Sequence, residues 1–359
     1  MRFPNPTFWA GKRVFLTGHT GFKGTWLALW LQTMGAEVSG YALAPDTTPA
    51  LFTLTDAAQG MAASTLADIR DAAAVAAALA ASQAEIVLHL AAQPLVRASY
   101  TDPLGTYATN VMGTAHVLEA ARRTNHVKVV QVITTDKCYE NREWLYPYRE
   151  TDRLGGHDPY SNSKACAELV VSSYRACFMA EAGIHLASAR AGNVIGGGDW
   201  AADRIVPDCI RALTASQAIA IRNPHAIRPW QHVLEPLAGY LVLAEAQYAG
   251  QANTDSGFNF GPEPSNVVSV GTLAEALVAR WGSGVLQIAT DPHAVHEAHI
   301  LKLDISKARA LLDWTPRWDF AKTIAQTADW YRRVLLTGES ARAVCLEQID
   351  CYTSSTGKP

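Results

Sequence analysis

Short apolar runs alternate with longer stretches of helical spacing through the first half of the chain. Strand-like runs lie at 13–17, 37–41, 85–90, 128–134 and 185–190. Between them, 25–34, 72–81, 103–123 and 161–182 carry apolar residues three and four apart, the spacing of a helix face. This rhythm predicts right-handed βαβ units and a parallel sheet covered on both faces. Past residue 190 the texture changes. A glycine-rich stretch at 192–198 and Pro-punctuated segments at 203–208 and 222–230 precede helical patterns at 234–247, 267–281 and 320–336. The fold class predicted is α/β: a Rossmann-type doubly wound parallel sheet with a smaller C-terminal α/β substrate-binding region. The dividing lines put 1–190 and 231–260 in the sheet domain, 191–230 and 261–345 in the second region, and 346–359 in a tail.

Composition narrows the partners. The 359 residues are 49% hydrophobic and 18% charged, enough to bury a sizeable core. A net charge of −3 and a pI near 6.4, with no basic tract, give nucleic acid no electrostatic foothold. No apolar window reaches the length a bilayer needs, and MRFPNPTFWAGKR at the start has no apolar signal region. No membrane partner is expected. The six cysteines are scattered with no CxxC pair, so no metal site is expected, and reduced thiols fit a cytoplasmic protein.

The first strand-like run ends in TGHTGFKG at 17–24. Gly18, Gly21 and Gly24 fall where a strand passes into a helix. Side chains there would block a pyrophosphate from the backbone, whose free N–H groups at the helix start meet its charge. His19, Phe22 and Lys23 complete this turn, which predicts a dinucleotide site. Such sites usually carry an acid after the second strand to hold the adenosine ribose. Here VSGYAL at 38–43 has none, and the next acid is Asp46. No arginines cluster there, which favours NAD over NADP. Asp68, followed by Ile69, is placed to accept from an adenine amino group or to cap a helix. Leu90, Ala91, Ala92 and Gln93 close a strand with small residues suited to backbone running beneath a cofactor.

Tyr160 and Lys164 stand four apart behind Asp158-Pro159, on one face of a helix start. A phenol is a poor base at neutral pH, and a neighbouring ammonium favours its ionised form. The run at 128–134 ends in Thr135, Asp136 and Lys137: a hydroxyl, an acid and an amine on consecutive residues. In order, TGHTGFKG, HLAAQ at 89–93, ITTD at 133–136 and YSNSK at 160–164 resemble the extended short-chain dehydrogenase/reductase family. The resemblance implies NAD-linked chemistry on nucleotide sugars. It gives Thr135 the reacting sugar oxygen, makes Tyr160 the base and acid for that oxygen, and has Lys164 tune Tyr160 and bind the cofactor ribose.

Sugar epimerases of the family need no further acid–base pair. The 4,6-dehydratases do, because a proton leaves C5 while the C6 hydroxyl departs. Asp136 and Lys137 sit where such a pair belongs. Asp136 must hold a proton to act as acid; Lys137 must be neutral to act as base, or charged to stabilise the C5 enolate. The dTDP-glucose and GDP-mannose enzymes carry Thr-Asp-Glu here. Thr-Asp-Lys, with GNVIGGGDW at 192–200, DRIVPD at 203–208 and RPWQHVLEPL at 228–237, resembles the branch acting on CDP-D-glucose. That resemblance implies CDP-4-dehydro-6-deoxy-D-glucose and water as products, and a place in deoxysugar and surface-polysaccharide biosynthesis, including the O-antigen of lipopolysaccharide. It also implies that Asn193, Arg204 and Arg228 line the substrate site, with guanidinium forks suited to a diphosphate. A homodimer or homotetramer is expected through helices at 106–123 and 161–182. His232 is left without a role. The rival readings are a dehydratase of another nucleotide sugar and a 4-epimerase.

Overall fold

The structure, a computed structural model, describes residues 1–289 and 300–354. Its centre is a sheet of β1 (Arg13–Thr17), β2 (Glu37–Ala42), β3 (Ala63–Leu66), β4 (Ile86–His89), β5 (Val129–Ile133), β6 (His185–Ala191) and β7 (Gly257–Phe260). Their order is β7-β6-β5-β4-β1-β2-β3, and every pair is parallel. The winding reverses between β1 and β4, where a crevice opens at the carboxyl ends of the strands. Burial follows position. β5 is buried at all of its residues, which is why VVQVI reads as a nearly unbroken apolar run. β3 is exposed at all four of its residues because it forms the sheet edge.

The longer helices are α1 (Phe22–Thr33), α2 (Ala72–Ser82), α3 (Gly113–Arg122), α4 (Pro159–Tyr174), α5 (Leu234–Tyr248), α6 (Val270–Trp281), α7 (Phe320–Arg332) and α8 (Ala341–Ser354). Helix α1 is buried from Gly24 to Leu31, so apolar residues surround it rather than forming a stripe. Trp30 on α1 meets Tyr352 on α8 edge-on, with ring centroids 5.7 Å apart. α3 continues Pro103–Tyr107 through a π-turn at Ala108–Met112.

Several boundaries differ from the sequence reading. β3 and β7 were not anticipated. α1 begins three residues earlier, which brings Gly24 inside the helix. α6 begins after Ser269, whose hydroxyl caps it by accepting from Thr272 N. Residues 346–354, expected to be tail, belong to α8, which packs against α1; 355–359 lie outside the described residues. No described helix is long and apolar enough to cross a membrane.

Among the described residues, three two-stranded ribbons lie beyond the sheet. Val194–Ile195 pairs with Gln231–His232, and Ile227–Pro229 pairs with Val267–Ser269. Asn193 O accepts from Gln231 N at 3.1 Å, which ties the end of β6 to the segment that carries Arg228.

Candidate active site

The turn after β1 is built on close approach. Gly18 has φ +76°, and a Cβ on it would lie 2.7 Å from Ala91 N. A Cβ on Gly24 would lie 2.0 Å from Gly18 O, so the first turn of α1 packs directly on the loop. Gly21 caps α1 without a side-chain bond, and a Cβ there would meet nothing nearer than Gly18 O at 3.5 Å. The helix start thus carries no side-chain cap, and glycines flank its leading N–H groups, an arrangement suited to an anionic pyrophosphate.

β4 closes the other side. Leu90 N and Ala91 N each donate to Thr17 Oγ1 at 3.1 Å, and His89 Nδ1 pairs with the same oxygen at 2.7 Å. Gln93 N donates to Asn110 Oδ1 at 2.9 Å, and Asn110 Nδ2 donates to Ser163 Oγ at 2.9 Å. This links Gln93, after Ala92, to the helix that carries Tyr160. Phe22 is half-buried, as is Ala92.

His19 is buried, bonds Ser64 Oγ at 2.8 Å, and lies on Gly40, where a Cβ would come within 2.4 Å of its ring. Burial pushes its pKa down to about 4. Toward the β3 edge, Asp68 is held by its neighbour Arg70, with Nε at 2.9 and 3.0 Å and Nη2 at 2.5 Å. The helix cap expected of Asp68 is supplied by Asp71, whose Oδ1 accepts from Ala74 N at 3.0 Å. Ile69 is buried against Gly113. Asp46 is exposed in the loop after β2.

The residues predicted to react converge at the end of β5. Thr135 caps a 3-10 turn, Asp136–Cys138, and accepts from Lys137 N at 3.3 Å. Its hydroxyl donates to Asp136 Oδ1 at 3.0 Å. Tyr160 lies in the first turn of α4, behind the Asp158 cap, and its N–H donates to Ser99 Oγ at 3.1 Å. Burial pushes the phenol up to about 12; the Thr135 side chain and the Arg204 charge oppose this. Lys164 is buried, donates to Ile133 O at 3.2 Å, and is brought down to about 8 by burial.

Asp136 is 2% exposed. Burial raises its pKa, with the Lys137 charge, the Thr135 bond and the Arg228 charge in opposition. Its Oδ2 has no hydrogen-bond partner among the described residues. A carboxyl in this state retains its proton to higher pH than a free aspartate. Room for it comes from Gly192, where a Cβ would lie 3.0 Å from Asp136 Oδ2 and 2.6 Å from Pro229 Cγ.

Lys137 and Arg228 border a cavity of about 610 Å³ that reaches Asp158 and Ser161 at the start of α4. Arg204 pairs with Asp199 at 2.9 Å, and Asn193 is half-buried at the end of β6. The structure thus gathers Gly18–Gly24, Leu90–Gln93, Thr135–Lys137, Tyr160, Lys164, Asn193, Arg204 and Arg228 along the carboxyl edge of the sheet and the region above it. Asp68 and Ile69 lie apart, beyond β2.

The sequence reading named Lys23 in the cofactor turn and missed three other contributors. The Lys23 ammonium donates to Tyr240 OH at 3.0 Å, and burial together with Lys164 and Arg204 lowers it to about 7. Ser99 and Gly192 carry no spacing signal. Glu168, one turn beyond Lys164, had the only readable one, since carboxylates four residues from lysines commonly pair on a helix. His232 is buried between Trp26 and Trp318, with centroids 6.0 and 4.7 Å away, a packing position.

This is a dinucleotide-type fold whose sheet edge carries a hydroxyl, a buried carboxyl of raised proton affinity, a phenol and two lysines. The profile of the family described as GDP-mannose 4,6 dehydratase matches residues 15–327, and the chain belongs to that family, within the extended short-chain dehydrogenases/reductases. The chain is 49% identical to the CDP-glucose 4,6-dehydratase of Salmonella typhimurium, over 97% of this chain and 98% of that protein. It is 32% identical to the dTDP-glucose 4,6-dehydratase of Streptomyces antibioticus, over 70% of this chain and 71% of that one. Among solved structures, dTDP-glucose 4,6-dehydratase from Streptomyces venezuelae, with NAD bound, superposes with a TM-score of 0.77 and 22% identity. That match covers 89% of this chain and 97% of the other. The Bacillus anthracis dTDP-glucose enzyme, in complex with NAD, gives 0.75 and 18%, covering 90% and 97%. These two describe the fold.

Proposed function

We propose that the protein is an NAD-dependent CDP-glucose 4,6-dehydratase, converting CDP-D-glucose to CDP-4-dehydro-6-deoxy-D-glucose and water. The observation that carries the reading is the Thr135-Asp136-Lys137 turn, in a chain 49% identical over 97% of its length to the Salmonella typhimurium enzyme. The uncapped, glycine-flanked start of α1 and the close Gly18–Gly24 packing fit a dinucleotide pyrophosphate. Lys164 fits its ribose. Bound NAD supplies reversible hydride exchange with the sugar, out at C4 and back at C6.

The chain's own residues do the rest. Thr135 and Tyr160 hold the C4 oxygen, and Tyr160 takes its proton as the ketone forms. Lys164⁺ favours the phenolate. Asp136, whose proton affinity burial raises, gives its proton to the departing C6 hydroxyl. Lys137 acts at C5, where the new ketone has acidified the proton. Asn193, Arg204 and Arg228 grip the diphosphate, and Asp68 serves the adenine end. The product class supplies deoxysugar and surface-polysaccharide biosynthesis in the cytoplasm. Leu104, Met112, Leu169 and Phe178 are exposed on and beside the α3 and α4 helices, and such a patch suits a two-fold homodimer.

The test is incubation with CDP-, dTDP- and UDP-glucose and GDP-mannose, with products read by mass. Loss of one water from CDP-glucose in clear preference is expected. Preference for another nucleotide would reassign the substrate. A product of unchanged mass would make the protein an epimerase.

A further inference from the structure

We propose that Glu168 is a positioning residue for this site: it fixes the catalytic edge of β5 and places a buried counter-charge one helical turn from Lys164. The inference rests on the dehydratase reading and adds a residue to it. Glu168 lies one turn beyond Lys164 on α4, and both are buried. Their side chains grip neighbouring residues of one strand end. Lys164 Nζ donates to Ile133 O at 3.2 Å, and Thr134 Oγ1 donates to Glu168 Oε1 at 2.5 Å. Thr135 follows directly.

The other Glu168 contacts come from β6: Ser188 Oγ at 2.6 Å, and Arg190 through Nε at 2.9 Å and Nη2 at 2.7 Å. Arg190 then reaches round the turn. Its Nη1 donates to Tyr139 OH at 2.7 Å, and Tyr139 OH donates to Asn259 Oδ1 at 2.7 Å. Thr134 precedes the Thr135–Lys137 turn and Tyr139 follows shortly after it. One buried ion pair therefore pins the turn at both ends. A surface helix pair would do neither.

Charge points the same way. Burial disfavours the Lys164 ammonium, and Glu168 opposes that, as does Cys138. Lys23 on α1 and His89 on β4 also feel Lys164. Arg190 and Arg175 face Glu168.

Two variants and a control test the assignment. Glu168→Gln removes the charge; Glu168→Gln/Arg190→Met removes both charges and avoids an orphaned guanidinium. Glu168→Asp keeps the charge. The Lys164 Nζ resonance, assigned by its loss in Lys164→Met, is titrated by ¹⁵N NMR without substrate. The alkaline limb of kcat is measured with CDP-glucose. Both midpoints should fall by about one pH unit in the charge-removing variants and return in Glu168→Asp. KM should move little. An unmoved midpoint in a folded variant overturns the proposal. Failure of both charge-removing variants to fold makes the pair a packing element and overturns it equally. An inactive wild type whose NMR midpoint still shifts would overturn the dehydratase reading and leave the Glu168 role standing.

Discussion

Two buried carboxylates lie on either side of the end of β5, and their proton affinities move in opposite directions. Glu168 is pushed up by burial, but the Arg190 charge and the bonds from Arg190, Ser188 and Thr134 outweigh this and hold it below the ordinary glutamate range. Asp136 is pushed up by burial and stays raised, because Lys137, Thr135 and Arg228 offset only part of the desolvation. Burial is common to both. What separates them is the Arg190 charge together with the donor count: Glu168 spends both oxygens on donors, whereas Asp136 Oδ2 has no hydrogen-bond partner among the described residues. A fully partnered buried carboxylate serves as a fixed anion. A half-partnered one is an acid held ready.

The pH dependence of stability carries the two signs. Glu168 is lowered in the fold, so its contribution is present above the unfolded pKa and is lost as pH falls through the folded one. Asp136 is raised, so its contribution is present in acid and lost as pH rises toward its folded pKa.

Substitutions can break the contrast, and the largest effect should fall on rate. Asp136→Asn keeps the shape and removes the transferable proton; kcat should drop by about 10²–10⁴-fold with the thermal midpoint nearly unchanged. A variant that unfolds instead would place Asp136 with the structural carboxylates. Glu168→Leu should do the reverse of that pattern in stability, costing about 3–5 kcal/mol in urea denaturation because a buried guanidinium is left without its anion. Gly192→Ala should press on Asp136 and Pro229 and lower kcat about 10-fold, with wild-type affinity for CDP retained. Thr134→Val removes one of the bonds to Glu168 and should cost about 1–3 kcal/mol by the same denaturation.

The same contrast marks what the sequence made legible. Thr135, Asp136 and Lys137 are adjacent, and Tyr160 and Lys164 share a helix face, so local spacing exposes them. The sheet was legible for strands long and apolar enough to show a run. β3 (ASTL) lies exposed at the edge and β7 (GFNF) has only four residues, so neither stood out. Glu168 and Arg190 are 22 residues apart on different elements, and only the α4–β6 packing brings them together. Gly192 is one glycine of a loop that holds several, and its purpose appears once the Asp136 carboxyl is in place. α8 lacks a strong apolar stripe because several of its contacts are polar, such as Gln348 Nε2 to Gln326 O at 2.8 Å.

The two carboxyls give up their protons in a fixed order as pH rises, Glu168 before Asp136. Infrared difference spectroscopy across a pH titration reads it directly, with each protonated-carboxyl band assigned by its loss in Asp136→Asn or Glu168→Gln. The Glu168 band should disappear first as pH rises, and the Asp136 band should persist to higher pH. An Asp136 band that vanishes before, or together with, that of Glu168 would contradict it.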